Sequence, residues 1–293
     1  MRLKQFIQLF VPPVYYKVKK RLFPEQRLEW HPLPKIERKG DKMIVIGNGP
    51  SLNESFEKYR EIICNSECIA VNFFASTDMF KIVRPAVYVL NDFVFFNPSD
   101  NLKSSVENLL NTIVNETNWN MTVVLPCTAK QTELVKLLAE NSHLEILYFN
   151  VHQNHADDTP RNEVLDKNLA TPPDATVLAV CVWMSIYWGY PETYLIGADS
   201  SWITELIVDQ QTNQLYTIDS HFYNSSDVYD GQNLYDSEHR RILPNSLYIE
   251  LRCITASFKA YEELEAYSKW KGLKVYNASE YSLIDAFERK KLG

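Results

Sequence analysis

The residues of this chain that could do chemistry stand where apolar runs stop. Directly after the run at 43–46 comes Gly47-Asn48-Gly49-Pro50-Ser51-Leu52. Glycines at the carboxyl end of a strand let the backbone approach a ligand closely, and Ser51 is a residue type that caps a following helix. The first turn of such a helix offers unpaired N–H groups and partial positive charge, so a phosphate or a carboxylate belongs there. The later glycine of a dinucleotide fingerprint is missing, as is the Lys-Ser/Thr of a P-loop. The plain alternative is a tight turn leading into a capped helix.

Two more asparagines end the next runs, Asn72 after 68–71 and Asn91 after 87–90. In an open parallel sheet the carboxyl ends of the strands share the edge where ligands bind, so Asn48, Asn72 and Asn91 should converge. An amide both donates and accepts, which suits a base, a ribose or a sugar hydroxyl; singly, each asparagine is also a common turn residue. For proton transfer, His221 in Asp219-Ser220-His221-Phe222-Tyr223 is the best base in view, because an imidazole of pKa about 6.5 accepts a hydroxyl proton at neutral pH. Asp219 is the carboxylate to orient it, and Tyr216, Tyr223 and Tyr229 are candidates to hydrogen-bond a leaving phosphate. His239, beside Arg240 and Arg241, is the rival base. His152 and His155 near Asp157 and Asp158 imitate a metal site, as do Cys64 and Cys68, but no second pair stands at a matching spacing and no metal is expected.

These residues need a scaffold, and the hydrophobic pattern supplies one. Short apolar runs at 43–46, 68–73, 86–90, 121–125, 144–149 and 193–196 alternate with helix-period stretches such as 104–114 and 130–140. Nearly continuous, β-branched runs separated by helices predict an α/β fold, a Rossmann-like parallel sheet flanked by helices. Residues 176–187 are apolar almost all round and end at Gly189, which predicts a central helix packed under the sheet. From 200 to 245 the pattern dissolves into a polar, Tyr- and Asp-rich stretch, the composition of a lid insertion. A long amphipathic helix at 246–271, a last strand at 274–276 and a terminal helix near 282–290 complete the expected order.

With 293 residues and 45% apolar side chains, the chain can bury a substantial core. Its net charge of −7 argues against binding nucleic acid by bulk charge. Residues 1–40 carry ten Lys/Arg against three Asp/Glu, leaving 20 against 34 in the rest. Residues 1–23 interleave Phe6, Phe10, Tyr15 and Tyr16 with Lys17, Lys19, Lys20 and Arg21, which suits an anionic membrane surface; a terminal helix docked on the domain is the plainer alternative. No apolar run approaches the roughly 18 residues of a membrane span, and no signal peptide is recognisable. The expected organisation is a membrane-associating segment and linker at 1–40 and a catalytic domain at 41–293, cytoplasmic and peripheral on the inner face of a bacterial membrane. Five scattered cysteines fit reduced thiols rather than a disulfide framework. Homo-oligomerisation is compatible with everything above.

The Gly-Asn-Gly-Pro-Ser-Leu turn, the Val71-Asn72-Phe73-Phe74 strand end, Asn91 and the run from Trp188 through Gly197-Ala198-Asp199 resemble the bacterial sialyltransferases of glycosyltransferase family 42 and the related DUF115 and Maf-like glycosyltransferases. The resemblance spans roughly 43–285 and is specific only at those motifs. It implies a GT-A variant that transfers sialic acid or a related keto-acid sugar from a CMP-activated donor, with inversion, under a lid and without metal or other cofactor. The acceptor implied is a lipid-linked or cell-surface glycan such as lipopolysaccharide or capsule. Carried over by position, Asn48 and Ser51, with Gly47 and Gly49, face the donor phosphate and sugar; Asn72 and Asn91 face the donor, and Asp199 faces the ribose or orders the lid. The family's base is a lid histidine, for which His221 is the nearest match, although alignment on the Ser-His-Tyr motif puts Ser225 at that place. The family's Arg and Ser-Gly before the central helix are absent too, and only Thr176 remains, with Asp174 where Arg would stand. Two alternatives stay open: a magnesium-ATP-dependent pterin diphosphokinase-like enzyme, and a non-catalytic nucleotide-binding scaffold.

Overall fold

The computed structural model describes residues 32–151, 161–169, 171, 172, 176–218, 221 and 240–293. The expectations for residues 1–23, for His152, His155, Asp157, Asp158 and Asp174, and for Asp219, Tyr223, Ser225, Tyr229 and His239 lie outside the described residues.

Among the described residues the strands are β1 (Lys42–Ile46), β2 (Glu67–Val71), β3 (Val87–Val89), β4 (Met121–Pro126), β5 (Leu144–Phe149), β6 (Glu192–Ile196), β7 (Leu206–Val208), β8 (Leu215–Thr217), β9 (Arg241–Ile242), β10 (Lys274–Asn277) and β11 (Glu288–Arg289). Eight of them form one sheet in the order β11-β10-β6-β1-β2-β3-β4-β5, parallel throughout. The helices are α1 (Leu52–Cys64), α2 (Met79–Val83), α3 (Asp100–Glu116), α4 (Glu133–Leu138), α5 (Arg161–Asp166), α6 (Val177–Trp188) and α7 (Leu247–Lys271).

The strand sequences show why the sheet is covered twice. Period-two alternation sends Ile44, Ile46, Cys68, Ala70 and Val123 into a core shared with α1 to α4, and Met43, Val45, Ile69, Val71 and Val124 into a second core shared with α5 to α7. This is the α/β Rossmann-like arrangement the runs predict. All twelve residues of α6 are buried, as a helix without a polar face requires. It ends at Gly189, whose φ of 84° belongs to the left-handed region that favours glycine.

Strands β1 to β5 build outward in one direction, and β6 then returns to the other side of β1. The reversal places a crevice beyond the carboxyl ends of β1 and β6, where open α/β sheets bind ligands. At the opposite, amino edge the chain entering β1 is fastened across the end of α6. The Tyr187 hydroxyl donates to the Leu33 carbonyl at 3.0 Å and the Trp188 indole to Pro34 at 3.0 Å. In return, Lys35 and Arg38 donate to the carbonyls of Tyr187 and Gly189. Cations on the last carbonyls of a helix complement its dipole.

Two expectations need correction. The stretch at 200–245 is not patternless, because β7, β8 and β9 form a small antiparallel sheet with Ile207 opposite Tyr216 and Thr217 opposite Arg241. Its strands are two or three residues long, too short for an alternation to register in sequence. Nor is there a terminal helix at 282–290: the chain runs extended into β11. Polar side chains there bond the backbone instead of sustaining helical turns. Asn277 Nδ2 donates to the Ile284 carbonyl at 2.9 Å, Ser282 Oγ to the Ala198 carbonyl at 2.6 Å, and Ser279 Oγ accepts from Ala198 N–H at 3.0 Å. Those bonds buttress the loop after β6.

None of the five cysteines is in a disulfide; Cys68 and Cys181 are buried, Cys64 and Cys127 half-buried and Cys253 exposed. Among the described residues no helix is long and apolar enough to cross a membrane.

Candidate functional site

A cavity of about 340 Å³ opens at the reversal of strand order. Its wall takes Asn48 and Gly49 from just beyond β1, Asn72 and Phe73 from just beyond β2, Asp92 and Val94 from beyond β3, and Gly197, Asp199 and Ser200 from beyond β6. The start of α6 (Thr176, Val177, Leu178) closes one side, and Ser201, Trp202, Glu205 and His221 the other. Six of the residues singled out in the sequence therefore meet: Asn48, Gly49, Asn72, Thr176, Asp199 and His221.

The glycine turn is shaped by its neighbour strand. Gly47 N–H donates to the Ile196 carbonyl and Gly49 N–H to the Gly197 carbonyl, both at 2.8 Å. A Cβ on Gly47 would lie 2.3 Å from the Gly197 oxygen, and one on Gly197, at φ 59°, would lie 2.7 Å from the Gly47 oxygen. The two backbones touch, so Gly47 and Gly197 are demanded by packing, and Gly47 does not line the cavity. A Cβ on Gly49 would meet Asp199 Oδ1 at 2.3 Å.

Ser51 is the largest departure from expectation. Its backbone is helical and its side chain makes no cap. Its hydroxyl donates to Asp199 Oδ1 at 2.5 Å and its N–H to Asp199 Oδ2 at 3.1 Å. The carboxylate expected at this helix start is thus the protein's own, and Ser51 lies behind it, outside the cavity lining. Burial pushes the Asp199 carboxyl above the usual range, against the pull of the Ser51 hydroxyl and N–H.

The asparagines hold their amides in one orientation. Asn48 Nδ2 donates to the Val71 carbonyl at 3.2 Å and Asn72 Nδ2 to Asp92 Oδ2 at 2.6 Å, which leaves Asn48 Oδ1 and Asn72 Oδ1 buried without a partner. Asn72 sits at φ 49°, a left-handed conformation that Asn tolerates better than most residues. Its carbonyl is held by the Tyr88 hydroxyl at 2.5 Å. Thr176 caps α6, accepting from Leu178 N–H at 3.3 Å. Asn91 does not line the cavity; the next residue, Asp92, does. The Asp92 side chain faces the solvent of the crevice, yet the protein mass around it raises its pKa while the Asn72 amide pulls it down.

Sequence reasoning missed Asp92, Ser200, Ser201, Trp202 and Glu205. The signal for Asp92 was its place beside Asn91 at a strand end. Glu205 is buried and accepts from the Ser201 hydroxyl at 2.6 Å, a bond made by the 3₁₀ turn at Trp202–Thr204 that no period announces. Neither Lys nor Arg occurs among the described lining residues, and no three described His, Cys, Asp or Glu side chains are grouped to hold a metal.

No protein-family model and no curated protein matches the sequence. Among solved structures, the Maf glycosyltransferase from Magnetospirillum magneticum AMB-1 is similar at 10% identity and a TM-score of 0.48, over 90% of this chain. The chain corresponds to 36% of the length of that protein. The chemistry of the cavity rests on its own residues.

Proposed function

We propose that this protein is a glycosyltransferase that takes a sugar from a nucleotide donor bound in the cavity between β1 and β6. The observation that carries the reading is the meeting, at the strand-order reversal, of oriented amides (Asn48, Asn72), a capped helix start (Thr176) and one imidazole (His221) around a single cavity. Amides and hydroxyls suit the ribose and sugar hydroxyls of such a donor, and the imidazole supplies the base. In the finer form of the proposal the donor is CMP-linked sialic acid or a related keto-acid sugar, and the acceptor is a lipid-linked or surface glycan. Residues 1–23 hold the enzyme at an anionic membrane. The acceptor oxygen bonds the anomeric carbon as His221 takes its proton. The bond to CMP breaks on the opposite face, its electron pair leaves with the phosphate, and the configuration inverts. Asp219 and Tyr223 belong to the same proposal, as the partner of His221 and a donor to the leaving phosphate.

The test is a thermal-shift series with CMP, CDP, UDP, GDP and ATP, each with and without magnesium. A ligand at about 100 times its dissociation constant adds roughly 2.7 kcal/mol of stability. Stabilisation by CMP or CDP without metal supports the proposal. Stabilisation by magnesium-ATP alone overturns it in favour of a diphosphokinase-like enzyme. A nucleotide-binding protein with no transfer or donor hydrolysis is the scaffold.

A further inference from the structure

The start of α1 is already occupied. Asp199 is 5% exposed, and its two oxygens accept the Ser51 hydroxyl and N–H, the groups an incoming phosphate would use. The site is built to hold that carboxylate: Gly49 has no Cβ because Asp199 fills the space. The backbone of Asp199 is pinned in turn, its carbonyl accepting from Leu283 N–H at 2.9 Å and the preceding Ala198 carbonyl from Ser282 Oγ at 2.6 Å. A second, independent observation points the same way. The lining residues beside it carry further acceptors, Asn48 Oδ1 and Asn72 Oδ1, both buried and unpartnered, and the Asp92 carboxylate, with the Ser200 hydroxyl, which can donate or accept, next to Asp199.

We propose that Asp199 is the specificity-determining residue of the cavity: it closes the glycine turn to phosphate with the protein's own anion, so that this end selects ligand groups that donate hydrogen bonds, namely hydroxyls or amines. The inference rests on the reading of the cavity as a nucleotide-sugar site. It places the hydroxyl- or amine-bearing part of the ligand beside Asn48 and Asn72 and keeps the phosphate away from Gly49 and Ser51. Two anions at one helix start would repel each other in a place where neither is well hydrated, while a hydroxyl or amine satisfies acceptors that burial has left without water.

The experiment follows the backbone amides of Gly49 and Ser51 by NMR in the ¹⁵N-labelled full chain, together with Tm, during titration with inorganic phosphate against chloride at matched ionic strength. In the wild type neither readout moves beyond the chloride control. In Asp199→Ala phosphate binds roughly tenfold or more tightly than in the wild type, shifts both amides and raises Tm, as expected for an opened helix N-terminus. Asp199→Ser, which removes the charge and keeps a polar side chain, serves where the alanine variant does not fold, and the same gain is expected of it. Phosphate that binds the wild type at those amides as tightly as it binds a variant overturns the proposal, as does a folded variant that gains nothing. In a parallel series the two amides respond equally to cytidine and to CMP; a larger response to CMP also overturns it. Absence of any response to both cytidine and CMP removes the nucleotide-sugar reading instead, and the phosphate series still decides the role of Asp199.

Discussion

The two edges of the main sheet are built to different standards. At the amino edge the end of α6 is tied down, its last carbonyls accepting from Lys35 and Arg38 while Tyr187 and Trp188 hold the entering chain, although the buried Thr117 and Tyr190 hydroxyls there have no partner. Left-handed backbone occurs there, but at helix ends, at Arg84 after α2, Gly189 after α6 and Gly272 after α7. At the carboxyl edge it falls on Asn72 and Ser200 in the cavity wall, beside two buried amide oxygens that lack a partner. Strained and unsatisfied groups cost stability, and they persist where binding gains from them. The amino edge fastens the entering chain to α6, whereas the carboxyl edge sets left-handed backbone and unpartnered amide oxygens in the wall of a cavity.

Glycine substitutions test this contrast with the largest effect. Gly47→Ala forces a Cβ to 2.3 Å from a backbone oxygen, which no side-chain movement relieves, and should cost on the order of 3–5 kcal/mol in urea unfolding. Gly189→Ala meets nothing within 4 Å and is charged only for its φ of 84°, about 1–2 kcal/mol. Equal losses at the two positions would remove the claim that the β1–β6 approach is the tighter one. At the cavity, His221→Ala should lower sugar transfer by about 10²-fold or more with Tm nearly unchanged, the usual scale for loss of a general base. An unaltered rate would move the base elsewhere.

Asn72 separates stability from binding at one residue. Asn72→Gly relieves the φ of 49° and deletes the buried unpartnered oxygen, which offsets the lost bond to the solvent-facing Asp92 carboxylate, so stability should change by no more than about 1 kcal/mol. Ligand affinity should fall by roughly five- to tenfold, the worth of one hydrogen bond. A variant that loses stability and keeps its affinity would mark Asn72 as a structural turn residue.

These contrasts also explain what was legible in advance. Strands β1 to β4 and β6 were readable because each is a short apolar run with both faces buried, and α6 because an apolar helix must be covered all round, whereas the two exposed, charged residues of β11 make no such run. The meeting of Asn48 and Asn72 followed from strand ends sharing an edge, whereas Asn91, expected with them, does not line the cavity, and Asp199 was singled out by the resemblance. The partner of Ser51 could not be read, because Asp199 lies 148 positions away and a capping serine looks the same whether it faces its own helix or a buried carboxylate. Asn91 was preferred to Asp92 because a strand end is known only to within a residue or two, and that error decides which neighbour faces the crevice. The extended C-terminal segment was hidden by side-chain bonds to the backbone of a distant loop, which leave no period.

The smallest effect is expected at the amino edge and depends on pH. Lys35 has its ammonium held at about 8, well below its ordinary 10.5, mainly by burial and secondarily by Lys271, with Asp166 opposing. Asp166 is itself engaged by Lys271 at 2.6 Å and by the Tyr267 hydroxyl at 3.0 Å, so it offers Lys35 little compensation. A lowered lysine pKa means that the unfolded chain binds the proton more tightly than the folded one. Between about pH 8 and 10.5 the unfolded state therefore carries more protons, and this group makes stability rise with pH across that window. Lys35→Met, which keeps an unbranched apolar stem and removes the ammonium that lies over the Tyr187 ring, should flatten that rise and leave stability below pH 8 unchanged or slightly higher. The difference between the two proteins' urea midpoints, measured from pH 7 to 10.5, isolates the contribution from the other titrating groups. A difference that stays constant across the range would show that Lys35 is as well solvated in the folded protein as in the unfolded chain, and that the clamp on α6 depends on Arg38 and the two aromatic donors alone.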